Sequence, residues 1–159
     1  MMIIINTDPT SAGFNSYASV NDLTQFAASR GYDVPADNDE CAKLLFQALD
    51  YLNGLNWMGA RADPNQPLAW PRMGVYIDGE RLPHDVIPGQ LIQAQCRLAV
   101  EAQDGLLDGS FTKGITTETA GKVSVQFADD ASGELYFPWL DGLLRGLLSV
   151  AINTFAERA

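Results

Sequence analysis

The chain has 159 residues, 47% of them hydrophobic, and its ten Lys and Arg against twenty Asp and Glu give a formal net charge of −10. A chain of this length makes one domain and can bury roughly two-thirds of its unfolded surface, which excludes wholesale disorder. The acidic balance argues against a surface built to grip nucleic acid, because phosphate binding needs clustered Lys and Arg.

The first ten residues, MMIIINTDPT, carry a small apolar patch without a basic flank or a cleavage-like site, so no targeting segment is expected. No apolar run approaches the eighteen or so residues that span a bilayer, and no membrane partner is expected. The first helix is predicted from SVNDLTQFAASRGY. Ser19 serves as N-cap with Asp22 three residues on, Val20, Leu23, Phe26 and Ala27 share one face, and Gly31 is the stop. After DVPAD a second helix starts near Asn38 or Asp39, with Asp39 and Glu40 in its first turn. Its stripe is Cys41, Leu44, Leu45, Ala48, Leu49 and Leu52.

The next thirty or so residues, NGLNWMGARADPNQPLAWPRMGVYIDGERLP, have little helical periodicity and predict one long ordered loop. A third helix follows within PHDVIPGQLIQAQCRLAVEAQDG. Pro88 suits its first turn, Ile87, Leu91, Ala94, Leu98 and Ala102 form its inner stripe, and Gly105 can end it. The period then changes. KVSVQFA alternates Val123, Val125 and Phe127 with Ser124 and Gln126, which predicts a strand and a β-hairpin from about 112 to 128 turning at Ala120-Gly121. Beyond polar ADDASGE, Pro138 can open a last helix carrying Leu140, Leu143, Leu144, Leu147 and Leu148, weakened by Gly142 and Gly146.

Chemical motifs are sparse. GITTETAGKV fails as a phosphate loop, since its glycines are too far apart and Val123 stands where a magnesium-binding Ser or Thr belongs. DVPADNDE lacks the glycine and distal glutamate of a calcium loop, and His84-Asp85 has no nucleophile to serve. Cys41 and Cys96 have apolar neighbours and read as buried thiols, without metal partners at ligand spacing. No enzyme activity, cofactor or metal is expected. The most particular stretch is WMGAR with DPNQPLAWPR, which gathers Trp57, Arg61, Trp70, Pro71 and Arg72 in one restrained loop. Two readings stay open for it. The arginines can stack on indoles and donate to loop carbonyls, making a polar-capped mini-core, or one indole or guanidinium can anchor a neighbouring subunit.

The order FNSYASVNDLTQFAASRGY, ALDYLNGLNWMGAR, QPLAWPR, IPGQLIQAQCRLAV and FPWLDGLLRGLL resembles the head–tail connector (adaptor or head-completion) proteins of tailed bacteriophages, from about Phe14 to Leu148. Some relatives carry the description DnaT-like single-stranded-DNA-binding protein. The resemblance implies a small helical virion protein, made in the host cytoplasm. It implies a dodecameric ring beneath the portal protein that extends the DNA channel, lets the genome pass without specific binding, and receives the next neck or tail protein.

The expected fold is therefore mainly α, a single domain of three or four bundled helices with a long ordered loop and a β-hairpin arm. The helical core covers about 14–108, the arm about 112–128 and the C-terminal helical segment about 136–159. Assembly is expected to run through Val123, Val125 and Phe127 on the arm and Phe137, Trp139, Leu143, Leu144 and Leu147 at the end, the alternative for the last helix being that it completes the subunit core. In isolation a subunit of this charge should be monomeric or weakly associated. One rival function is a single-stranded nucleic-acid-binding accessory protein of replication, which basic residues gathered on one face would favour; a second is a small hydrolase, which would require a convergent polar pocket.

Overall fold

The structure is a computed structural model that describes residues 2–105, 107, 126, 127 and 135–149. Helix α1 spans Val20–Arg30 and begins as its sequence predicts. Asp22 N donates to Ser19 Oγ while Ser19 N donates to the Asp22 carboxylate, and Gly31 closes the helix in the left-handed conformation. Helix α2 (Asn38–Asn53) buries every member of the predicted stripe, Cys41, Leu44, Leu45, Ala48, Leu49 and Leu52. Helix α3 (Gly89–Ala102) is capped by Pro88, which lies just outside it, and buries Leu91, Ala94, Leu98 and Ala102 while Ile87 is half-buried. Helix α3 packs most extensively on α2 and next on α1, so these three elements carry the core.

A polar side chain sits at the middle of that core. Gln95 is fully buried and lies one helical turn from Leu91 on the inner face of α3. Its Oε1 accepts from Tyr17 N (3.0 Å) and Ala18 N (2.9 Å), and its Nε2 donates to Ser16 Oγ and Leu45 O (both 2.9 Å). Ser16 Oγ passes the chain on by donating to Ala18 O. One carboxamide thus satisfies the backbone ahead of α1 and a carbonyl of α2, and leaves none of its own hydrogen-bonding groups unused.

The loop between α2 and α3 contains more order than its sequence predicted. β1 (Ala60–Arg61) pairs antiparallel with β2 (Arg72–Met73), and β3 (Tyr76–Ile77) with β4 (Glu80–Arg81). The second hairpin turns at Asp78-Gly79, both at positive φ (53° and 83°), the geometry that a two-residue Asp-Gly turn favours. A third pair joins β5 (Gln126–Phe127) to β6 (Leu135–Tyr136). This places the partner of the predicted strand on its C-terminal side, across ADDASGE. The expected pairing within 112–125 and the turn at Ala120-Gly121 lie outside the described residues.

The last helix is shorter than expected. Helix α4 covers Pro138–Leu143, and the chain then turns through Gly146 at φ +89°, where Ile77 crowds the glycine and a larger side chain would meet both strain and contact. The segment after the turn is stitched to the loop by Met58 N donating to Leu147 O and Ser149 N donating to Asn56 O. Phe137, Leu140, Leu144 and Leu147 are consequently buried inside the subunit. Arg97 ties α3 to this end, lying 4.4 Å over the Trp139 ring and 5.6 Å from the Tyr32 ring while Nε pairs with Glu101 at 3.1 Å. Burial pushes the Glu101 carboxyl above its usual range, against the pull of Arg97. Both thiols are free and buried, and burial drives Cys96 up to about 12.

Gln95→Leu keeps the volume but strands the Tyr17 and Ala18 N–H groups and removes one bond each from the Ser16 hydroxyl and the Leu45 carbonyl. It should lower unfolding free energy by about 4 kcal/mol in urea titration. A loss below about 1 kcal/mol would remove the carboxamide from its central role.

Candidate functional site

The loop singled out by its tryptophans and arginines is built around two indoles packed edge to face, Trp57 and Trp70, with centroids 5.5 Å apart and planes at 87°. Trp70 is 1% exposed, Pro71 is buried, and the Trp70-Pro71 bond is cis. Trp57 Nε1 donates to Leu52 O, anchoring the indole to the end of α2. Trp70 N donates to the buried Tyr17 hydroxyl, whose acidity burial suppresses to about 12, so the loop is tied to the segment that Gln95 holds.

Arg72 is the clip. Its Nε donates to Met58 O (2.7 Å), Nη1 to Ala69 O (3.0 Å) and Nη2 to Gly59 O (3.0 Å). Burial and the nearby Arg61 both weaken its hold on its proton. Gly59 has φ +74°, and Met73 O lies where its Cβ would stand, so the strands approach closely only because no side chain intervenes. Gln66 completes the loop. Its Nε2 donates to Leu68 O and Pro71 O, and its Oε1 accepts from Asp63 N. Arg61 is exposed in β1, donates to Gln66 O and stands across from Arg72.

Of the two readings of this loop, the mini-core describes Trp57, Trp70, Pro71 and Arg72, through carbonyl donation rather than Arg–Trp stacking. The arginine that does lie on an indole is Arg97, on Trp139. The residues expected to mediate assembly divide. Phe137, Leu144 and Leu147 are core residues of the subunit rather than exposed docking residues: Phe137 packs edge to face on Tyr51 of α2, and the turn at Gly146 brings Leu147 back to the loop at Met58. Trp139 and Leu143 are half-buried. Phe127 lies in β5 opposite Leu135, while Val123 and Val125 fall outside the described residues. His84 and Asp85 are both exposed.

What the loop presents outward is apolar surface beside charges of both signs, Arg61 and Arg81 with Asp63, Asp78, Glu80 and Asp85. Met58 and Met73 are each 41% exposed and Tyr76 57%, beside Arg61 and near the cross-strand pair Tyr76–Arg81. Sequence reasoning did not single out Gln66, Gln95 or the exposed methionines. The signal for Gln95 was a polar residue inside an apolar stripe, and for the second hairpin it was Asp-Gly. Among the described residues no three His, Cys, Asp or Glu side chains converge as metal ligands, and no helix is long and apolar enough to cross a membrane.

These features define a small helix-rich domain whose distinctive loop is a hydrogen-bonded scaffold with exposed apolar side chains and charges of both signs at its outer edge. Over residues 1–159 the chain matches the family described as "Putative DnaT-like ssDNA binding protein", and it belongs to that family. No curated protein and no solved structure matches it.

Trp70→Ala should cost about 3 kcal/mol or more, as truncation of buried aromatics does, read by thermal or urea unfolding. Arg72→Lys should also destabilise, by about 2 kcal/mol, because an ammonium cannot reach three divergent carbonyls with one planar fork. An unchanged melting curve for either variant would show that the loop is not part of the core.

Proposed function

We propose that this chain is a structural subunit acting through protein–protein contacts: a head–tail connector that sits as a ring beneath the portal and docks the next neck or tail protein, without a catalytic step or a cofactor. One observation carries this reading: among the described residues exposed carboxylates outnumber exposed cations, and two arginines are engaged within the subunit. Arg72 holds three loop carbonyls, Arg97 sits between Tyr32, Trp139 and Glu101, and Lys43 pairs with Glu40. Asp33, Asp37, Asp50, Asp63 and Asp85 are exposed. A wall of that sign repels phosphates and lets a genome slide rather than stick. The resemblance from Phe14 to Leu148 supports the finer identity and, with it, a place in the virion neck.

The family's description favours a second reading, single-stranded DNA binding in a replication accessory role. On the surface, the exposed Tyr76 ring stands across β3–β4 from Arg81, the pairing of stacking face and cation that single-strand binders use.

Two measurements separate the readings. A connector should co-purify with portal protein, add ring density below it in electron microscopy, and show negligible affinity for an oligonucleotide at physiological salt. Sub-micromolar oligonucleotide binding that weakens steeply with salt, and is lost in Tyr76→Ala and Arg81→Ala, would replace the connector by the second reading.

A further inference from the structure

We propose that Glu101 is a proton-uptake site that governs how firmly the segment 137–149 is seated: with its carboxyl neutral the segment is held, and with it ionised the seat loosens. The device goes beyond both readings of the loop edge and depends on neither. Glu101 stands one residue from the end of α3 and is 8% exposed, an unusual place for a carboxylate. The last turn of a helix carries the negative end of its dipole, and no basic residue lies in the last turn of α3. One cation opposes these effects. Arg97, a turn earlier, donates from Nε to a Glu101 carboxylate oxygen at 3.1 Å, while its own side chain is 30% exposed. The charges acting on Glu101 are Arg97, which favours ionisation, and Asp104, which opposes it. Burial is the largest influence and outweighs Arg97, so the carboxyl takes up its proton above the usual carboxylate range.

Arg97 couples this carboxyl to the end of the chain. Its guanidinium lies 4.4 Å over the Trp139 ring of α4 and 5.6 Å from the Tyr32 ring of the α1–α2 turn. Tyr32 is the ionisable side chain that this turn brings to the pair, and α4 brings a neutral indole, its own Asp141 and the nearby Arg145 being exposed. Among the helices α4 packs against α3, and the Arg97–Trp139 contact lies at that junction. With the segment seated, Trp139 keeps water from the one cation that holds Glu101, and the ionised carboxylate has little else to stabilise it. Unseating returns water to both groups, which favours the ionised carboxylate and does nothing for the neutral acid. Proton binding and seating therefore reinforce each other. A carboxyl that holds its proton more tightly in the seated state stabilises that state below its raised value and stops doing so as the pH rises through it. Acid tightens the seat and base loosens it.

Two readouts on the whole chain test this. One is amide hydrogen exchange, corrected for its chemical pH dependence. The other is the Trp139 indole N–H resonance, assigned by its loss in Trp139→Phe; that group is buried without a hydrogen-bond partner among the described residues, so it reports its packing. From about pH 8 to about pH 5, a range that brackets a raised carboxyl, protection across residues 139–147 should rise severalfold and more than at the centre of α2. The indole resonance should shift with the same midpoint. Glu101→Gln keeps the shape and removes the charge, so it should show the acid-form protection and resonance already at about pH 8 and lose the pH response. No pH response in the wild-type chain overturns the proposal. So does lower protection in Glu101→Gln, or its failure to fold, since either makes the ion pair a net support. A parallel change in α2 assigns the proton to global stability and overturns the seat. A response that survives Glu101→Gln and disappears in Asp104→Asn moves the proton to Asp104, and overturns it as well.

Discussion

The fold depends on a buried carboxamide. A glutamine side chain has two donors and two acceptor sites, and in an apolar interior each one left unpaired costs free energy. Gln95 avoids that cost by meeting two N–H groups that would themselves be orphaned, those of Tyr17 and Ala18 just ahead of α1, together with the Ser16 hydroxyl oxygen and a carbonyl within α2. Apolar packing alone would let α3 slide against α2, because leucine faces are tolerant of small shifts. Four directional bonds to two different chain segments remove that tolerance. The carboxamide therefore sets where α3 lies along α2 and how the N-terminal segment crosses both.

From there the order propagates to the loop. Tyr17, held by its backbone to Gln95, presents its hydroxyl to Trp70 N, and Trp70 packs on Trp57, which is tied to the end of α2. Arg72 then draws three carbonyls toward one guanidinium, and Gln66 fastens three more backbone groups. A loop of this length would ordinarily be mobile and costly to order. Here it is crossed by enough short-range and long-range bonds to behave as an extension of the helical core, and the turn at Gly146 adds the strand-like contact that seals it.

This rigidity bears on function through electrostatics. The same hydrogen bonds that build the loop occupy the guanidinium of Arg72, and Tyr32, Trp139 and Glu101 occupy a second, half-buried cation, Arg97, between α3 and α4. What remains outside is a mostly acidic surface with one loop edge where Met58, Met73 and Tyr76 lie exposed beside Arg61 and Arg81. Membership of a family described by single-stranded DNA binding draws attention to that edge as a stacking platform, while the charge of the whole chain favours a protein partner for it. Both uses would exploit one property: side chains presented from a scaffold that does not have to be ordered on binding.

How much of this was legible beforehand depended on whether the determinant was local. Helices α1, α2 and α3 followed from caps and periodic apolar stripes, which are contacts between residues three or four apart, and the burial of both cysteines followed from their neighbours in the chain. The Asp-Gly turn was equally local and was passed over among loop residues. The fate of FPWLDGLLRGLL was different in kind. Its leucines are compatible with an exposed docking helix or a buried plug, and the choice fell to Gly146, whose positive φ brings Leu144 and Leu147 back onto the loop at Met58. In the same way the sequence by itself determined that Gln95 would lie on the inner face of α3, but only the tertiary structure decided that this would be a strength. The partners of Gln95 lie 50 to 79 residues away, and no local pattern records which distant backbone groups will arrive in need of one.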